Sequence, residues 1–179
     1  MIVFSYLDDS LYSHNRSKAV ELLARVKDHT TGRYFRGFRM LTLGWSDGSS
    51  FMPLAFSLLS SKKEQNRYQD IDSSIDKRTV GYRRRQEATK KSTETMFDLL
   101  DSINPKKLGA KTVLFDSWFA YPAIISKIVK NYPLHVVCMI KRSPKIHYTY
   151  EGESYTLNQL YKKVRKKRGR AKIANKRFL

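Results

Sequence analysis

The run Val113-Leu114-Phe115-Asp116-Ser117-Trp118-Phe119, followed by Ala120–Lys130 and Leu134–Ile140, carries the argument about fold. An apolar stretch that halts at an aspartate reads as a short buried strand delivering a carboxylate at its end. Residues 120–130 read as a helix with Pro122 near its first turn, where proline costs no hydrogen bond. Residues 134–140 form a second apolar strand. Strand, helix and strand at this spacing make a parallel β-α-β unit with a right-handed crossover. Open α/β sheets present their chemistry at the carboxyl ends of such strands, which makes Asp116 a candidate site residue. The plainer alternative is an aspartate that merely caps a turn or helix.

A second station of the same kind stands at Ser5-Tyr6-Leu7-Asp8-Asp9-Ser10, with residues 2–7 as the strand. Residues 11–33 read as a basic connection containing a short helix. Phe38–Trp45 and Phe51–Leu58 make a hairpin through Ser46-Asp47-Gly48-Ser49, with Pro53 moving its second member towards a sheet edge. Residues 60–80 are polar and turn-rich. A basic helix spans roughly 81–103 and stops at Asn104-Pro105. The order is strand, hairpin, helix, strand, helix, strand. It is that of an RNase H-like α/β core, with a mixed five-stranded sheet and crossover helices. In that core the first and fourth strands adjoin, so Asp8 and Asp116 should meet. The side-chain period of two then turns Asp8 towards Asp116 and Asp9 away from it.

After Lys141 the character changes. Residues 146–150 and 155–157 alternate about Glu151-Gly152-Glu153 as a hairpin does, and from Tyr161 onward there are ten Lys or Arg and no acid. The expected division is an RNase H-like core over 1–142. Residues 143–179 then form an added basic segment.

Thirty-five Lys and Arg against sixteen Asp and Glu leave a net charge of +19, which calls for a polyanionic partner. Candidate phosphate contacts are Arg83, Arg84, Arg85, Lys90 and Lys91, then Lys162, Lys163, Arg165, Lys166, Lys167, Arg168 and Arg170. Any one basic run reads equally well as a solvated face. No apolar stretch approaches membrane-spanning length, so no membrane partner is expected. Cys138 is the sole cysteine, which excludes an internal disulfide and fits a reduced, cytoplasmic protein. His14, His29, His135 and His147 share no metal-ligand spacing. Trp118 and Phe119 read as packing beneath the site, the alternative being that they reach a displaced base.

Asp8-Asp9-Ser10 fits an aspartate, any residue, then Ser or Thr; Asp116-Ser117-Trp118-Phe119 fits an aspartate, two residues, then Phe or Tyr. With the hairpin stretch Gly37–Trp45, these motifs resemble the DDE transposases of bacterial insertion sequences. The group is the one named after insertion sequence four, and this chain looks like an internal fragment of a member. The resemblance implies that Asp8 and Asp116 are catalytic and ligate Mg²⁺ or Mn²⁺, Asp9 being either a supporting acceptor or a solvated neighbour. It implies DNA as partner, at transposon ends and target, and an intact parent that could oligomerise on DNA. The implied reaction is hydrolysis of a phosphodiester followed by attack of the freed 3′-hydroxyl on target DNA, with two metal ions stabilising the exchanging oxygens.

The family's third carboxylate, a glutamate within Tyr-x2-Arg-x3-Glu-x6-Lys, finds no match. Tyr82 and Arg85 have the opening spacing, but Thr89 stands in the glutamate's place, and Glu151 and Glu153 are the only later acids. The resemblance thus implies that 1–142 is a catalytic core lacking the final glutamate helix and incomplete at its C-terminus, and that 143–179 begins a β-rich insertion. The fragment alone is therefore expected to be inactive. A non-catalytic basic nucleic-acid-binding protein and a standalone RNase H-like nuclease are the alternatives.

Overall fold

Six segments pair into one sheet in a computed structural model that describes residues 4–103, 107–140 and 142–164. They are β1 (Phe4–Ser13), β2 (Ala24–Lys27), β3 (Tyr34–Ser46), β4 (Phe51–Leu59), β5 (Thr112–Phe115) and β6 (His135–Cys138). The order is β2-β3-β1-β5-β6, with β4 also paired to β3. The first strands are antiparallel, whereas β1–β5 and β5–β6 are parallel. The helices are α1 (Val80–Ala88), α2 (Ser92–Ser102), α3 (Pro122–Asn131) and α4 (Leu157–Val164). This is the mixed α/β architecture of an RNase H-like core. Its sheet has six strands where five were expected, because β2 joins the edge of β3.

Four local readings change. First, residues 11–33 hold no helix. Leu22 and Leu23 are buried, Leu22 takes a left-handed φ of 59°, and Ala24 and Val26 turn inward from β2. The apolar spacings here would suit a helix, but the edge of β3 pairs with β2, and the segment buries its apolar residues in a turn and a short strand instead. Second, β1 does not stop at Asp8. The long β3 continues alongside it and pairs with it residue by residue as far as Ser13 with Gly37, so both aspartates lie within the strand. Third, the helix expected over 81–103 is two. Thr89 closes α1, and Lys91, extended at ψ 138°, opens α2. Fourth, Leu157, read as part of the hairpin, instead opens a helix, α4, that runs into the basic stretch from Tyr161.

The remaining elements follow from local chemistry. Thr79 caps α1 by accepting from the Tyr82 amide, and Pro122 occupies the first turn of α3. Pro53 lies opposite Gly44 at an irregularity in the β3–β4 register, on a strand that pairs with β3 alone. β7 (His147–Tyr150) and β8 (Glu153–Thr156) form a separate two-stranded sheet. Its turn, Glu151-Gly152, has φ values of 52° and 81°, the left-handed pair that a tight hairpin requires.

One face of the large sheet is covered. Leu7, Leu41, Leu43, Val113 and Phe115 meet Met96, Leu99 and Leu100 of α2 and Ile128 of α3, all buried. Each such side chain removed from water contributes roughly 1.5–3 kcal/mol before conformational entropy is set against it. The other face is more open: Tyr6, Phe51, Val137 and Met139 are exposed. The Phe51 ring covers Gly44 and meets Tyr6 edge-on at 6.1 Å.

Candidate carboxylate site

Parallel pairing of β1 with β5 brings the two stations together. The last paired rung is Leu7 with Phe115, so Asp8 and Asp116 come next on adjoining strands, whose spacing is about 4.8 Å. Asp116 follows the end of β5, as the sequence led us to expect. Its Oδ1 accepts the Trp118 amide at 2.8 Å, which tightens the turn that leads into α3. Phe119 is fully buried beneath that turn, whereas Trp118 stands 40% exposed. Packing beneath the site is therefore the role of Phe119 alone.

The neighbouring aspartates divide between faces. Asp8 is exposed on the open face and accepts a hydrogen bond from the Ser10 hydroxyl at 3.0 Å. It lines a hollow of about 420 Å³ together with Asp116, Tyr6, Leu114 and Val137. Asp9 shares the covered face with Leu7 and, by register, with Leu41 and Leu43. Its side chain is only 4% exposed, and the Arg39 guanidinium grips it through two bonds, Nε to Oδ1 at 3.0 Å and Nη2 to Oδ2. Burial raises the Asp9 pKa above the usual carboxylate value; Arg39 opposes that shift, the charge of Asp116 adds to it, and His29 opposes it weakly. Asp116 thus sits at the rim, sharing a hollow with Asp8 and a Coulombic interaction with Asp9. The expected turning of Asp9 away from Asp116 does not isolate the two charges.

Sequence reasoning overlooked the rest of this cluster. The Arg39 guanidinium lies 5.0 Å from the centre of the Trp118 ring, and the His29 ring meets the same indole with 5.0 Å between centroids. A signal for Arg39 was present. Counting by twos along Gly37–Trp45 places it on the face of Leu41 and Leu43, where a lone charge needs a partner.

The basic candidates are scattered. Arg84 pairs with Glu87, Arg85 with Glu21, Lys90 with Asp98 and Lys91 with Glu94. Lys163 is committed to Glu153 and lies over Tyr155. Arg83 and Lys162 are exposed and have no ion pair among the described residues. Arg165, Lys166, Lys167, Arg168 and Arg170 lie outside the described residues. A cleft of about 560 Å³ between β4 and the first two helices is lined by Phe56, Arg83, Arg84 and Lys90. Phe56 pairs with Thr42 and Thr42 with Asp8, so one cross-strand row runs from the cleft to the carboxylates.

The chemistry of the donor set suits a hard divalent cation, since carboxylate oxygens are its preferred ligands and Mg²⁺ retains several waters. Among the described residues no three His, Cys, Asp or Glu side chains gather to hold a metal ion. No described helix is long and apolar enough to cross a membrane.

The sheet order, with aspartates where the parallel strands β1 and β5 adjoin, is that of an RNase H-like α/β fold. The chain belongs to the DDE superfamily endonuclease family, whose model matches residues 3–177. No curated protein and no solved structure matches it. Membership carries a transposase-like nuclease function with DNA as substrate, and enzymes of this superfamily generally use divalent metals.

Proposed function

We propose that this chain is part of a DDE transposase of the insertion-sequence-four group. Such an enzyme cuts DNA at transposon ends and joins the 3′-hydroxyl to target DNA. The observation that carries the reading is the parallel pairing of β1 and β5, which brings Asp116 beside Asp8 and Asp9 from distant parts of the sequence. Asp116, with Asp8 or Asp9, would hold Mg²⁺ or Mn²⁺. When bound, the metal neutralises charge on the exchanging phosphate oxygens. The residues of the chain supply the anchoring: Phe119 fixes the Asp116 turn, and β3 fixes Asp8 and Asp9 within the strand.

DNA enters, in this reading, along the cleft beside β4. Arg83 offers an uncommitted charge there, and Phe56 lies two strands from Asp8, roughly 10 Å across the sheet. Residues 1–142 act as the core, and 143–179 as an added basic segment. The separate β7–β8 sheet, with α4 packed on it, supports that division.

Two aspartates without the third carboxylate leave a second metal ion under-ligated. With Mg²⁺ and DNA carrying transposon ends, this chain should bind the metal, lose that binding in Asp116→Ala, and not join ends to target. Metal binding indifferent to Asp116→Ala would make the chain a basic DNA-binding protein instead. Strand transfer abolished by the same substitution would show that the third carboxylate is not needed.

A further inference from the structure

Arg39 is a cation built into the site. It comes from β3, where it pairs with Leu11, and its side chain reaches along the covered face to Asp9. The Asp9 side chain it holds is 4% exposed, whereas the Arg39 side chain is 26% exposed and its guanidinium lies over Trp118. A carboxylate buried this deeply is costly to leave unpaired, and Arg39 supplies its counter-charge. Both Asp9 oxygens are engaged by Arg39. Those two oxygens are also what Asp9 would offer a metal.

We propose that Arg39 is the resident counter-ion of Asp9 and that a divalent cation must displace it to use that carboxylate. This rests on the reading of Asp9 and Asp116 as metal-facing groups. Arg39 spans both Asp9 oxygens, and at 4% exposure little of the carboxylate is left open to a second cation, so the two compete. The one on a flexible, partly exposed stem gives way, sliding off the Trp118 indole towards solvent, where it becomes free to meet a phosphate. Arg39 is thus a positioning residue. It holds the Asp9 carboxylate in place until a metal arrives, and it competes with that metal.

The indole reports the exchange. The chain has two tryptophans, and Trp45→Phe leaves Trp118 as the sole emitter. In that background Mg²⁺ titration at pH 8 should change Trp118 emission saturably, and Asp9→Asn should abolish the change. Arg39→Gln should bind Mg²⁺ about tenfold more tightly by calorimetry, because its competitor is gone, and should lose most of the fluorescence response. Arg39→Lys, which keeps the charge but not the two-pronged grip, should fall between.

Equal or weaker Mg²⁺ binding by folded Arg39→Gln would overturn the proposal. Should that variant fail to fold, wild-type Mg²⁺ binding with a silent Trp118 would overturn it instead. Binding that survives both Asp9→Asn and Asp116→Asn would refute the underlying metal assignment rather than the role of Arg39 alone.

Discussion

Replacing Phe119 with alanine tests how the candidate site is held. Phe119 is fully buried in the main core, three residues after Asp116, in a turn closed by Ala120 N–H to Ser117 O at 3.3 Å and Tyr121 N–H to Phe119 O at 2.8 Å. Removing a fully buried ring costs about 3–5 kcal/mol, combining lost transfer energy with the cavity left behind. For a domain of this size each kcal/mol lowers the melting temperature by about 2–4 °C, so the expected fall is roughly 6–20 °C. Trp118 is the internal control. At 40% exposure its replacement by alanine should cost well under the Phe119 change, although it strips the ring from beneath Arg39. Urea denaturation followed by far-ultraviolet circular dichroism measures both, and Phe119→Leu should lie between. Equal losses for the two substitutions would refute the assignment of Phe119 as the anchor and Trp118 as a surface ring.

Two further predictions concern charge. Asp9 has a folded-state pKa raised by burial, so its stabilising contribution is complete below the ordinary aspartate value of 3.8 and is lost as pH rises through the raised value. Without divalent metal, Asp9→Asn should therefore gain stability relative to wild type on going from pH 3.5 to pH 7; a gain that shrinks towards neutrality would contradict the buried placement. Deleting residues 161–179 removes ten cations, and should flatten the dependence of DNA affinity on salt by about 0.9 for each phosphate no longer neutralised. An unchanged slope would place the DNA-binding surface elsewhere, with the Arg83 cleft the first region to mutate.

Much of the architecture was legible locally. The β-α-β unit could be read from apolar runs bounded by Asp116 and Pro122, and the later hairpin from Glu151-Gly152, because a strand's burial and a turn's φ preference are written in adjacent residues. The break between α1 and α2 was less visible, since Thr89 and Lys91 are neutral signals whose effect depends on what each helix packs against. Residues 11–33 were misread for a related reason. Leu22, Leu23 and Val26 stand at helical i+3 and i+4 spacings, and the edge of β3, which gives β2 something to pair with, overrides that local pattern.

At the site the division is sharper. Alternation along β1 establishes that Asp8 and Asp9 face opposite ways, and the apolar run before Asp116 establishes where that carboxylate ends a strand. Which face α2 and α3 would cover, and so which aspartate would be desolvated, was decided by packing between distant segments. The same holds for Arg39. Its place on the Leu41–Leu43 face is a local fact of period two, but its hold on Asp9 exists because β3 lies antiparallel to β1 in one register. A shift of one residue would turn the guanidinium to the open face, since strand pairing is set by the summed burial of the whole strand and not by the charged pair it aligns.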